Sequence, residues 1–205
     1  MAPRPLRFLT LEGISGAGKS TLVPRLADRL EARGHTVART RDPGGTGAGR
    51  AIRELLLHAN GALCPETELA LFFADRAQNL AEVIRPALER GEFVIGDRFT
   101  DSTLAYQCCG RGLPIRRALA LDEAITGRFR PDLTVLLDLP VSIALARLNG
   151  RDRIEQEKER FHERVRHGFL RIAREEPERV VVVRADRPRE EVFREVWGQV
   201  RRRLR

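Results

Sequence analysis

Lysine, tyrosine, tryptophan and cysteine are scarce in this chain of 205 residues. Lysine occurs only at positions 19 and 158, Tyr106 and Trp197 are alone of their kinds, and aromatic residues make up 5%. No apolar run approaches the ~20 residues that a bilayer-crossing helix requires. The opening "MAPRPLRFLTLEG" passes straight into strand-like sequence without a signal-peptide core, so a cytoplasmic protein with no membrane partner is expected. Cys64, Cys108 and Cys109 are odd in number and lack metal-ligand spacing, which fits free thiols in a reducing compartment rather than a disulfide framework. An N-K-x-D guanine-reading segment is missing, which argues against a nucleotide-switch GTPase. No basic-aromatic stripe supports a nucleic-acid-bound ATPase. The net charge of +8 is carried by arginines interleaved with acids, as in "RDRIEQEKERFHERVR", a pattern of salt-bridged surface. The closing "RRRLR" reads as a solvated helix end, and no nucleic-acid partner is expected.

What is present begins with "GISGAGKS", Gly13 to Ser20. It satisfies G-x-x-x-x-G-K-[ST], the loop that cradles phosphates. Glycines let the backbone adopt φ > 0 and wrap closely round an anion with its N–H groups inward. The backbone from Gly13 through Ile14, Ser15, Gly16, Ala17 and Gly18 to Lys19, Ser20 and Thr21 is therefore the candidate ATP cradle. The first turn of the following helix adds free donors and the positive dipole end. Lys19 would reach the β- and γ-phosphates and Ser20 would hold Mg²⁺. The context agrees: "LRFLTLEG" reads as a buried strand and "KSTLVPRLADRLEARG" as an amphipathic helix stopped by Gly34, bent early by Pro24.

Further β-rich runs at 36–40, 92–97, 132–139 and 179–185 alternate with helical patterns at about 48–59, 66–90, 114–126, 141–149, 153–175 and 189–204. This alternation predicts an α/β fold, a five-stranded parallel sheet covered on both faces. The length suits one domain, 1–205. Ligands of such sheets bind outside the carboxyl ends of the strands, so the residues after each strand carry the functional reading.

After the second strand, "RTRDPGGTGAGRAIR" sets Arg41, Arg50 and Arg53 around a Pro-Gly-Gly turn, either as guanidinium forks for a phosphate or as a plain loop. After the third, "GDRFTDSTLAYQ" offers Asp97 for Mg²⁺ and Arg98 as a phosphate clamp. Asp138, ending "VLLD", shares the pattern; Asp97 is preferred because an arginine and polar side chains follow it at once. In "LFFADRAQ", Phe72 and Arg76 stand at i and i+4, either to stack a flat base and bond its edge or as core and exposed charge. "ALARLNGRDRIEQEKERF" breaks at Asn149-Gly150 among Arg147, Arg151 and Arg153. It reads as an arginine-bearing lid at about 148–156 or as a solvated helix-turn-helix.

In order along nearly the whole chain, "LEGISGAGKST", "TRDPGGT", "FFADR", "GDRFTDSTLAYQ" and "DRIEQE" resemble the thymidylate kinases, with the Pro-Gly-Gly turn and "DRIEQE" the most specific. The resemblance implies the nucleoside monophosphate kinase fold with a small lid, and transfer of the ATP γ-phosphoryl to dTMP with Mg²⁺. It implies Phe72 stacked on thymine with Arg76 on its edge, Thr103 and Gln107 reading or enclosing the base, and Tyr106 under the sugar. It places Arg98 on the acceptor phosphate with Arg41 and Arg53 nearby, Arg147 and the 183–188 stretch beside adenine, and a homodimer packed through helices. The phosphate loop carries no arginine, so Arg153 is implied as the charge-stabilising one, of the lid-arginine type. Ser15 stands where many relatives have an acid, leaving Asp97 or Glu12 to compensate. Cys108 and Cys109 replace glycines, and Asp42 shortens a usual Glu. The rival readings are the same chemistry on another nucleotide or a deoxynucleoside, and a nucleic-acid-associated ATPase.

Overall fold

The computed structural model describes residues 6–59, 61–148 and 152–204. Asn149, Gly150 and Arg151, on which the predicted hinge of the lid falls, and the final Arg205 lie outside the described residues.

The element order is β1 (Phe8–Glu12), α1 (Lys19–Glu31), β2 (Val37–Arg41), α2 (Gly47–His58), α3 (Pro65–Asn79), α4 (Arg85–Glu89), β3 (Phe93–Asp97), α5 (Thr100–Thr103), α6 (Ile115–Thr126), β4 (Leu133–Asp138), α7 (Val141–Ala146), α8 (Glu159–Glu175), β5 (Val180–Arg184) and α9 (Arg189–Arg203). The five strands form one parallel sheet in the order β2-β3-β1-β4-β5. Alternation along the strands supplies both faces with apolar side chains. Leu9, Leu11 and Ile95 join Leu22, Leu26 and Leu30 of α1 in the main core. Phe8 and Val94 turn the other way, onto Leu80, Ile84, Ala87 and Phe99.

The expected helix over 66–90 is continuous in space but underwound between α3 and α4 by a π-helical turn, Leu80–Ile84, just before Pro86. A proline lacks the N–H that a regular helix would need there, and the widened turn absorbs the defect. Three expectations are corrected. The helix placed at 141–149 ends at Ala146. The one placed at 153–175 begins only at Glu159, because residues 153–157 form turns in which Asp152 Oδ1 accepts from the Ile154 and Glu155 N–H groups. The stretch after β3, read only as a motif, is a helix: α5 runs into a π-helical segment, Leu104–Gly110. That segment packs on α8, where a Cβ on Gly168 would stand 2.8 Å from Cys109 Sγ. Cys108 and Cys109 are therefore packing residues, and both are free thiols.

Strand order sets the site. The chain leaves β1 towards β2 on one side and leaves β3 towards β4 on the other, so the winding reverses at the β1/β3 pair, where Leu11 lies opposite Asp97 and Asp97 opposite Arg41. A crevice outside the carboxyl ends follows from that reversal.

Candidate active site

A cleft of about 700 Å³ opens at this edge. Its floor is the loop between β1 and α1. Gly13 and Gly16 have φ of 134° and 80°, and a Cβ on them would stand 2.5 Å from the Leu137 carbonyl oxygen and 2.1 Å from that of Ala144. Only glycine takes both the backbone angle and the approach. Residues 15–21 line the cleft. Lys19 is buried and its Nζ donates to the Gly13 and Ile14 carbonyls at 2.9 and 3.0 Å. Burial, helped by the Arg98 charge, brings its amine down to about 7 against the opposing pull of Asp97, Glu12 and Glu155.

Ser20 Oγ donates to Asp97 Oδ2 at 2.7 Å, joining the loop to the end of β3. Asp138, the alternative, is held in a two-point ion pair with Arg166 of α8 and is not on the cleft wall. A hydroxyl and a carboxylate this close are hard oxygen ligands of the kind Mg²⁺ shares with substrate phosphates. The two residues fit that ion, although the described residues hold no cluster of three or more protein ligands.

Arg98 follows with φ of 75°, in the left-handed region that a side chain seldom adopts. Its Nη1 donates to the Gly13 carbonyl and to Ser102 Oγ, each at 2.9 Å, and its Nη2 to Tyr106 Oη at 3.2 Å, so the guanidinium bridges the loop and α5. Glu12 accepts from Phe99 N–H and Ser102 Oγ beneath it. Burial and the neighbouring Asp101 push its carboxyl up to about 7. Glu12 is fully buried and not on the wall, whereas Asp97, the other acid weighed as a substitute for one at position 15, is on it.

Arg41 and Arg53 flank the cleft, Arg53 tethered to the Pro43 carbonyl at 3.0 Å. At the far end stand Phe72, Thr103, Tyr106 and Gln107. The paired phenylalanines divide: Phe73 is fully buried in the core and Phe72 faces the cleft. Arg76 is neither an exposed charge nor on the wall. It lies wholly buried behind Asp42 and Thr103, donating to Asp42 through Nε at 2.7 Å and Nη2 at 3.1 Å, and to Thr103 Oγ1 at 2.9 Å. Its Nη1 is buried without a partner among the described residues.

Arg147, its Nη1 on the Ala185 carbonyl, and Arg187 line the opposite end. From the lid stretch Leu148, Asp152, Ile154 and Glu155 face the cleft. Arg153 does not: its guanidinium donates to the Leu56 carbonyl and, at 2.6 Å, to Glu68 Oε2. The expectation of Arg153 among the phosphates is thus corrected for this conformation, in which a buried carboxylate and a helix-end carbonyl outbid open solvent. Two partners escaped the sequence reading. Glu68 lies four residues before Phe72 and eight before Arg76, on the same face of α3, a spacing that could have singled it out. Arg111, in "CGRG", pairs with Glu68 at 3.1 Å and with Glu157.

A glycine-loop phosphate cradle at the reversal of a parallel sheet, with a hydroxyl–carboxylate pair beside it and two ends to its cleft, defines a P-loop nucleotide-binding enzyme. Comparison with known proteins narrows the class. The thymidylate kinase family model matches residues 11–196. A thymidylate kinase of Desulfovibrio desulfuricans is 49% identical, over 97% of this chain and 96% of its own. One from Pseudomonas fluorescens is 54% identical over 88% of each chain. The crystal structure of the thymidylate kinase of Ehrlichia chaffeensis superposes with a TM-score of 0.80 at 34% identity, covering 97% of this chain and all of the other. The chain belongs to the thymidylate kinase family, and the nucleic-acid-associated ATPase is set aside.

Proposed function

We propose that the protein transfers the γ-phosphoryl of ATP to dTMP, giving dTDP and ADP. The observation that carries the reading is one cleft with the Lys19 cradle and the Ser20–Asp97 pair on its floor, Phe72, Thr103, Tyr106 and Gln107 at one end, and arginines between. Transfer between two nucleotides needs no covalent work from the protein; it needs two anions held end to end with their repulsion neutralised. The loop amides and Lys19 bind the donor phosphates, Lys19 exchanging the Gly13 and Ile14 carbonyls for phosphate oxygens. Arg98, steadied by Ser102 and Tyr106, grips the acceptor phosphate with Arg41 and Arg53 beside it. Phe72 stacks on the base, Thr103 and Gln107 enclose it, Arg76 Nη1 supplies a donor to its edge, and Tyr106 sits under the sugar. Arg147 flanks adenine. Ser20 and Asp97 would hold Mg²⁺, which when bound would supply positive charge against that of the phosphates. The 148–156 segment acts as lid within a single domain, and Arg153 enters only after leaving Leu56 and Glu68.

Family membership further supports a cytoplasmic homodimer, which the molecular mass in solution checks; no described helix is long and apolar enough to cross a membrane. The test of the activity is ADP release against a panel of nucleoside monophosphates, ribose and deoxyribose, with and without magnesium. dTMP should be the best acceptor, and only with the metal. Release that no monophosphate stimulates would end the proposal.

A further inference from the structure

Glu68 belongs to no recognised motif of the chain, yet its carboxylate, 1% exposed, takes four donors. Oε1 accepts from Gln107 Nε2 at 2.8 Å and Arg111 Nε at 3.1 Å, Oε2 from Arg153 Nη2 at 2.6 Å and Arg111 Nη2 at 3.3 Å. Burial opposes its charge, but the hydrogen bonds from Arg111, Arg153 and Gln107 win and hold the carboxyl below its ordinary value. An ionised carboxylate only accepts. The side of the Gln107 amide that faces it must therefore be the NH₂, an orientation forced by chemistry although the two ends of an amide look alike. The Gln107 oxygen is then committed to the other direction. It is buried, has no partner among the described residues, and belongs to a side chain on the wall beside Phe72 and Thr103. A buried acceptor left open in a cleft asks for a donor from the ligand.

We infer that Glu68 is a positioning residue for base selection: it locks the Gln107 amide with its oxygen free, so the cleft requires a hydrogen-bond donor on the base edge that meets Gln107. The imide N3–H of thymine or uracil supplies that donor; N3 of cytosine carries a lone pair instead. The inference rests on the proposed dTMP reading and deepens it. Arg111, which stays on Glu68 when Arg153 leaves it, acts through Glu68 by keeping it charged.

The test compares wild type with Glu68→Gln, reading Kd for dTMP and dCMP by calorimetry. The neutral amide at position 68 can donate or accept, so Gln107 can turn either way. The preference for dTMP over dCMP should fall about tenfold, the scale of one specificity-bearing hydrogen bond. Loosening of α3 or release of Arg153 acts on both nucleotides and cancels in the ratio. A fall of threefold or more supports the inference; a smaller one overturns it. Should Glu68→Gln fail to fold, wild type decides by proton NMR: the N3 proton of bound dTMP is protected from exchange with water if Gln107 holds it. Exchange as fast as in free nucleotide overturns the inference. A wild-type protein that does not bind dTMP overturns the substrate reading itself, whereas one that phosphorylates dTMP with an unchanged ratio in the variant overturns only the role of Glu68.

Discussion

Arg76→Met removes the cation from the most enclosed ion pair among the described residues, Arg76–Asp42, whose side chains are 0% and 1% exposed. Two bonds to Asp42 and one to Thr103 are lost, and Asp42 is left beside Asp75, a second buried carboxylate, without its counter-charge. Stranding one member of a buried pair costs about 3–5 kcal/mol. For a chain of this size each kcal/mol moves the melting temperature by about 2–4 °C, so a drop of roughly 6–20 °C is expected. The cost also carries a pH signature. Burial already raises the Asp42 carboxyl above its ordinary value despite Arg76, and without Arg76 it rises further. A group whose pKa is higher in the folded than in the unfolded chain lends stability that is full at low pH and is lost as pH climbs to the folded value. The penalty of Arg76→Met should therefore be smaller at pH 5 than at pH 8. It grows by up to about 1.4 kcal/mol per pH unit while the folded state keeps a proton that the unfolded chain has released. Urea denaturation at both pH values measures it. Adding Asp42→Asn to Arg76→Met should return more than half of the loss, since it removes the stranded charge. A penalty under about 1 kcal/mol, or one equal at the two pH values, would refute the electrostatic reasoning.

Gly16→Ala places a Cβ 2.1 Å from the Ala144 carbonyl oxygen at φ 80°. The loop must open to relieve it, and kcat/KM for ATP should fall at least about 100-fold while far-ultraviolet circular dichroism is kept. Because Lys19 titrates at about 7 in the free protein, ATP should bind with uptake of nearly one proton at pH 8 and little at pH 6. Calorimetry in buffers of different ionisation enthalpy reads this, and equal uptake at both pH values would contradict it. Asp75, pushed up to about 7 by burial and the Asp42 charge, accepts from the Gly44 N–H through Oδ1, while Oδ2 has no partner among the described residues. Its folded pKa exceeds the unfolded one, so its stabilising protonation is lost as pH rises towards 7. Asp75→Asn should stabilise the protein above pH 7 and flatten the pH dependence between 4 and 7, as thermal melts will show.

Local rules made much of this legible without coordinates. The glycine loop needs only its own backbone and the next helix, so Gly13 to Ser20 declared the phosphate cradle. Apolar β-rich runs separated by helical patterns declared the parallel sheet, because a central strand covered on both faces, such as β1 or β4, must be apolar nearly throughout. The 153–157 turns were hidden because Asp152 competes with the helix for the Ile154 and Glu155 N–H groups through a side chain that a periodicity count ignores. The helix after β3 was hidden because α5 and its π-helical continuation hide polar residues, Thr103 and Gln107 among them, whose pattern resembles a loop until Arg76 and Glu68 are brought alongside.

The chain by itself therefore determined the order of strand, loop and helix, the phosphate-binding backbone and the family. Only the tertiary structure decided between Asp97 and Asp138, turned Phe72 outward and Phe73 inward, buried Arg76 on Asp42, and held Arg153 on Glu68. The physical reason is range. Backbone conformation is set by neighbours a few residues away, whereas a buried charge takes whichever opposite charge the fold delivers, and Asp42 and Glu68 reach their arginines across 34 and 85 residues of chain.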